Sequence, residues 1–400
     1  MTNGWHGVRA ALSEANYRTF TIGNAFSLIG TWVQRLALGW VVWELTRSGA
    51  WLGAVAFADL FPMVFVTPFA GALADRADRL RVTRISQALL MAMAQAGLLA
   101  VFSALGLLSP ELILALALVG GVITAFNQPF RMALLPSLVD RSHLISAVAV
   151  NSIVFNTARF IGPAIAGLAI AWGSVTLAFV LNFVTFAAFS VALARIRLVR
   201  IEQLPSTNPG YAARHVGLGA MLLTLGVISL CIRPILELMP SYAGLFDSDA
   251  MKFAVMTSLI GLGSLIGAIR LSRLNNPRIL ARMALSNGLL MGAALLVAAC
   301  TQYEWLALIA LLALGYGMVV SGIANQTVIQ LVVPDHLRGR VLSLHSMIFR
   351  GAPALGALAI GAASDFMSLR WPLAVGAVLT FVFSALVYGR RTTVLKSLDL

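Results

Sequence analysis

Charge is scarce in this chain. Asp, Glu, Lys and Arg make up 11% of its 400 residues, where a soluble domain carries about a quarter. Mean hydropathy is +0.90. So little charge cannot cover a water-facing surface, which sets aside a large soluble helical protein. Cysteine is scarcer still. Cys231 and Cys300 both stand in apolar runs, so no disulfide framework is expected. The five histidines, His6, His143, His215, His336 and His345, show no metal-ligand spacing. No phosphate-cradling glycine loop with Lys follows a strand, and no Gly-x-Ser-x-Gly elbow occurs. ATP drive, hydrolase chemistry, a metal and a cofactor are therefore not expected, and the chain is not read as an enzyme. Residues 1–17 are polar, and the first apolar run lacks a clear small-residue cleavage site. That run is expected to stay as the first helix.

What the chain has instead is apolar runs. A spanning helix needs about 20 apolar residues. The runs predict twelve spans, near 18–43, 51–73, 82–107, 111–135, 145–171, 174–194, 216–242, 250–270, 279–302, 305–331, 340–364 and 371–389. The longest polar stretch, 195–215, holds Pro205, Pro209 and Gly210 and reads as a linker between a half at 1–194 and a half at 216–400. Twenty Lys and Arg collect in the loops on one side, against Arg47, Lys252 and Arg370 on the other. The positive-inside rule then puts both termini in the cytoplasm. It also accounts for the net charge of +13, so nucleic acid is not an expected partner.

An internal repeat supports two halves. Asn127-Gln128 and Asn325-Gln326 are 198 residues apart, as are Arg35 and Arg233. After a four-residue slip, Phe155, Gly162 and Gly167 match Phe349, Gly356 and Gly361. The offsets suggest two six-helix halves in parallel repeat, an arrangement that resembles that of facilitator-type transporters.

One polar stretch sits between the second and third spans, Gly71-Ala72-Leu73-Ala74-Asp75-Arg76-Ala77-Asp78-Arg79-Leu80-Arg81. Its charges cannot lie in hydrocarbon. It resembles the loop signature of the major facilitator superfamily, Gly-x-x-x-Asp-Arg-x-Gly-Arg-Arg, with Asp78 where most members carry a second Gly. That acid is similar to the branch of enterobactin-type siderophore exporters and macrolide or drug efflux proteins. Phe26 to Trp32, Arg233-Pro234 with Glu237-Leu238, and Arg338-Gly339-Arg340-Val341 also resemble that branch. Gly162-Pro163 with Gly167 is similar to the end of the antiporter motif, although Thr157 and Ala158 replace its earlier glycines.

The resemblance implies an all-α integral membrane protein with twelve transmembrane helices in two parallel-repeat halves. It implies a bacterial cytoplasmic membrane location. It implies a cytoplasmic gate at Gly71, Asp75, Arg76, Asp78 and Arg79, with Asp75 aimed at the start of helix 11. Asp78 can also cap the third span, and Gly71 is expected to allow close helix packing. The alternative is a loop that only obeys charge topology and caps a helix.

Within the spans only Asp59 and Glu237 are acidic. Both are candidate proton carriers, since a carboxylate in an apolar site can exchange protons near neutral pH. Arg233 and Glu237 are four apart and can pair, and Arg35 and Asp59 lie at similar depth. A structural ion pair is the alternative for each acid. Arg35, Arg131, Arg159, Arg233 and Arg350, with Asn156, are candidate cavity residues. Such a cavity would be net positive and suit an anionic or chelating substrate. Arg131 can equally snorkel to headgroups. The expected function is proton-coupled export of a siderophore, drug or similar amphiphile by a monomer in the bilayer. An importer of the same fold, or a non-transporting sensor or scaffold, stands as the alternative.

Overall fold

Capping residues set where several helices start. The computed structural model describes residues 9–74, 77–90, 96–140, 143–172, 174–197, 216–246, 249–272, 274, 276–333 and 335–397. Ser48 accepts from Trp51 N at 3.2 Å and opens a helix at Gly49. Ser109 precedes Pro110, and Asn276 precedes Pro277, so each proline takes a first-turn position where its missing N–H costs nothing. Asp78 accepts from Arg81 N at 3.0 Å, which is the cap expected of it.

The helices are α1 (Ala15–Thr46), α2 (Gly49–Leu60), α3 (Pro62–Ala74), α4 (Arg79–Leu89), α5 (Gly97–Ala104), α6 (Pro110–Leu134), α7 (Leu144–Trp172), α8 (Val175–Arg195), α9 (Val216–Cys231), α10 (Met239–Gly244), α11 (Ala250–Ser272), α12 (Pro277–Cys300), α13 (Glu304–Val332), α14 (Asp335–Ser364), α15 (Arg370–Gly389) and α16 (Arg391–Ser397). No strand occurs among the described residues. Among the described residues, eleven helical stretches are long and apolar enough to cross a membrane. The expected third span, 82–107, appears as α4 and α5, with residues 91–95 between them outside the described residues. The protein is thus an all-helical, multi-pass membrane protein.

Two places depart from simple spans. Pro62 has no N–H to continue the helix from α2, so the second span divides at Phe61 into α2 and α3. The expected span 216–242 is not one helix either. Pro234 sits in a 3-10 turn, Arg233–Leu236, and α10 follows. Residues 233 and 237 therefore do not share the face that an unbroken α-helix would give them.

The chain forms two compact units, Met1–Val41 with Pro62–Ser206, and Val42–Phe61 with Thr207–Leu400. In the first, Tyr17, Phe20, Leu134, Phe189 and Leu193 build a core between α1, α6 and α8. In the second, Leu218, Met221, Leu280, Val320, Val328 and Val341 do so between α9, α12, α13 and α14. The short α2 packs along α14 in this second unit. Small residues allow it: a Cβ on Gly53 would press into the Ala357 carbonyl, and one on Gly361 into that of Gly49. Of the expected linker, residues 198–215 lie outside the described residues.

Candidate substrate and coupling sites

In the first unit the site is built on one indole. Trp32 and Arg35 are three residues apart on α1 and share a face. Gly162 on α7 has no side chain where a Cβ would meet that of Trp32, and the same Cβ would be 3.3 Å from Ile29 O. The two helices therefore lie in contact there. Phe155 meets Trp32 edge-on at 6.3 Å and 71°. Arg159, one turn further along α7, brings its guanidinium carbon to 5.7 Å from the Trp32 ring centre, and Arg35 brings its own to 5.5 Å. A Trp face is the strongest neutral partner for a cation. Two guanidiniums at one ring concentrate positive charge there, which favours an anion over a cation as a neighbour.

Asn156, next to Phe155 on α7, is buried, with its amide donating to Ser152 O at 2.8 Å. Arg131 stands elsewhere, over Phe189 at 5.0 Å, and is half-buried. Two amide pairs bridge helices: Asn182 donates to Gln34, and Asn24 to Asn151 at 3.2 Å.

The second unit holds Asp59, Glu237, Arg233 and Arg350. Its 3-10 turn carries Arg233 to within 3.5 Å of the Phe349 ring centre. Asp59 lies near the end of α2. Gly49 faces Gly361 and Gly53 faces the Ala357–Leu358 backbone. Continued along α2, that register sets Asp59 level with residues 350–351 of α14, so Arg350 is the cation of α14 at its depth. Arg35 belongs to the first unit and Asp59 to the second. Glu237 follows the turn that Arg233 begins and is half-buried.

Of the loop motif, Asp75 and Arg76 lie outside the described residues. Arg79 is buried, and donates to Ala74 O at 3.1 Å and to Ala133 O at 3.3 Å. It ties the start of α4 to the ends of α3 and α6. A Cβ on Gly71 would meet no atom within 4 Å, so the close packing expected there is not found among the described residues. Gly162 and Gly167 are buried, and Gly162 is the one seated against α1.

A family profile described as transmembrane secretion effector matches residues 6–400. The chain belongs to that family. Among this effector's relatives, the staphyloferrin A transporter of Staphylococcus aureus is 24% identical over 90% of this chain and 92% of its own length. The multidrug efflux pump Tap of Mycolicibacterium fortuitum is 27% identical over 88% and 92%. Macrolide efflux protein A of Streptococcus pyogenes is 21% identical over 92% and 94%. A crystal structure of a bacterial homologue of the iron transporter ferroportin superposes with a TM-score of 0.72 at 17% identity, covering 94% of this chain and 99% of that one. The effector has the major facilitator fold and is a membrane transporter; its family and fold are not those of enzymes.

Sequence reasoning missed two groups in the effector. His143 and Glu14 are 2.9 Å apart, with Asp140 beside them. Glu14 also accepts from Asp140 N at 3.1 Å, so its carboxylate serves as a clamp between the start of α1 and the turn before α7. Only the fold brings these residues together. His345, buried on α14 against Phe349, has no sequence signal beyond being a histidine in a span.

Proposed function

We propose that this effector is a proton-coupled exporter of an anionic or chelating small molecule, a siderophore or similar amphiphile. It works by alternating access in the bacterial cytoplasmic membrane, as a monomer with both termini cytoplasmic, built from halves 1–194 and 216–400 joined by 195–215. The observation that carries the substrate class is the pair of guanidiniums, Arg35 and Arg159, at Trp32. Relatives named as multidrug and macrolide efflux proteins support export, and one named as a staphyloferrin A transporter supports the substrate class.

In this reading Arg35, Arg159 and Asn156 are substrate contacts of the first unit, and Arg233 and Arg350 are taken separately as candidate contacts of the second. Arg131 guards the cytoplasmic end. Asp59 and Glu237 carry protons. Pairing with Arg favours the ionised carboxylate, so Asp59 would give up its proton as Arg350 returns to it. Gly71, Asp75, Arg76, Asp78 and Arg79 form the cytoplasmic gate, Asp78 by capping α4, and Gly162, Pro163 and Gly167 shape α7 against α1.

The test is flux in everted vesicles under an imposed proton gradient, with staphyloferrin A, a macrolide and a cationic dye. Gradient-driven uptake, lost in Asp59→Asn or Glu237→Gln, is the expected result. Uptake that survives both changes removes the two acids as carriers. Uptake only into right-side-out vesicles makes the protein an importer.

A further inference from the structure

His345 is 5% exposed, and its Nε2 has no hydrogen-bond partner among the described residues. Its ring stacks on Phe349 at 5.7 Å and 15°. The same Phe349 ring carries the Arg233 guanidinium at 3.5 Å. A second orphan lies nearby. Asn325 on α13 is 1% exposed; its amide donates to Ser321 O at 2.9 Å, but its Oδ1 has no partner among the described residues.

Helix geometry brings the two orphans to one depth. A Cβ on Gly322 would lie 2.9 Å from Phe349 Cε2, so those two residues are opposite each other. The connection from α13 to α14 is short, so the helices run antiparallel. Asn325 is three residues past Gly322, and His345 four before Phe349. Both steps lead toward the connection, by about 4.5 and about 6 Å at 1.5 Å per residue.

We propose that His345 is a proton-binding site of the transport cycle, and that the Arg233 guanidinium on Phe349 opposes its occupancy. A neutral imidazole has one donor and one acceptor nitrogen, whereas the protonated ring has two donors. Asn325 Oδ1 is the waiting acceptor for the added N–H. Burial of the ring opposes that proton first, and Arg233 adds to the cost, because two cations at one apolar ring repel.

Other charged groups on the elements packed against α14 are few. The α9 segment Val216–Cys231 has none, α2 has Asp59, and Glu237 caps the 3-10 turn. Glu304 and Arg370 stand at the starts of α13 and α15, and Arg350 is five residues further along α14 itself. By linkage, a proton on His345 weakens the Arg233 seat, and whatever draws Arg233 away strengthens the proton's hold by the same factor. An intramembrane ionisable group is where such coupling is found. The inference deepens the proton-coupled reading and rests on it, but not on Asp59 or Glu237 being the carriers.

The test needs no substrate. The protein carrying isotope-labelled histidine is titrated in detergent micelles from about pH 4 to 9 by NMR. The His345 signal is the one lost in His345→Gln. Arg233→Gln should raise its proton affinity about tenfold or more, one pKa unit. Arg233→Lys should leave it near wild type, and Asn325→Ala should lower it. His143, held by Glu14 at 2.9 Å, reports whether each variant is folded. An affinity unchanged in Arg233→Gln overturns the linkage, and a signal that never titrates overturns the site. Gradient-driven flux of the wild type tests the exporter reading separately, so either can fail alone.

Discussion

Asp365 Oδ1 accepts the backbone N–H of Gly49 at 2.7 Å, across 316 positions of sequence. The same carboxylate takes the Ala50 N–H at 3.3 Å and the Ser48 hydroxyl. A helix start leaves its first N–H groups without partners, and its dipole favours an anion. Asp365, just past the end of α14, thus fastens the start of α2 alongside the Ser48 cap. Asp365→Ala should cost about 1 kcal/mol, the size of a lost cap. Asp365→Asn, which keeps one acceptor, should cost less. Thermal unfolding in detergent reads the loss, and hydrogen exchange at Gly49 and Ala50 should speed up in Asp365→Ala. Unchanged exchange at both amides would sink this account of α2.

Further along the same helix pair, Gly53 meets the backbone of Ala357 and Leu358. The obstacle to a side chain there is a carbonyl, not the flexible end of another side chain. Gly53→Val must push α2 away from α14, and overpacking of this kind costs about 1–3 kcal/mol. Gly71→Ala is the control, since a Cβ there meets open space and Ala suits a helix better than Gly by about 1 kcal/mol. Unfolding midpoints should fall for the first and hold or rise for the second.

These two helices also mark the limit of what the chain alone reveals. The spans were legible because hydrocarbon demands long apolar runs, and the starts at Pro110 and Pro277 because Ser109 and Asn276 are capping residues. The attachment of α2 to α14 was not legible, since it depends on small residues some 300 positions apart. Pro234 hinted at a break in the seventh apolar run, but a 3-10 turn hides inside apolar composition. Arg35 and Arg159 were legible as charges within spans. That they share the Trp32 ring follows from the approach that Gly162 allows, which no spacing along the chain encodes. A lone histidine such as His345 reads like any buried core residue until its neighbours are known.

Asp78 separates two roles that its motif leaves open, a charged gate and a helix cap. As a cap it accepts from Arg81 N, and Asn caps about as well as Asp. Asp78→Asn should therefore keep both stability and transport, whereas Asp78→Ala should lose about 1 kcal/mol. Arg79→Ala should be worse than either, because two backbone carbonyls, Ala74 O and Ala133 O, lose their donor. Unfolding midpoints and vesicle flux measured side by side decide the matter. Stable Asp78→Asn protein without flux would establish that the charge itself acts in gating.

Trp32 is where a change should alter substrate binding most directly. Its ring is the common partner of Arg35 and Arg159, so shrinking it releases two cations at once. Trp32→Ala would also leave a void where Phe155 and α7 pack, and large-to-small changes of this kind cost about 3–5 kcal/mol. Trp32→Phe is the cleaner change: it keeps most of the packing and weakens the face that the guanidiniums rest on. Each contact is worth about 0.5–2 kcal/mol, so the concentration for half-maximal flux should rise about threefold to thirtyfold, with maximal flux less affected. The effect should be larger for an anionic substrate than for a cationic dye, because only the anion uses both guanidiniums. Equal losses for both compounds would mean that Trp32 serves packing alone, and the anionic substrate class would lose its main support.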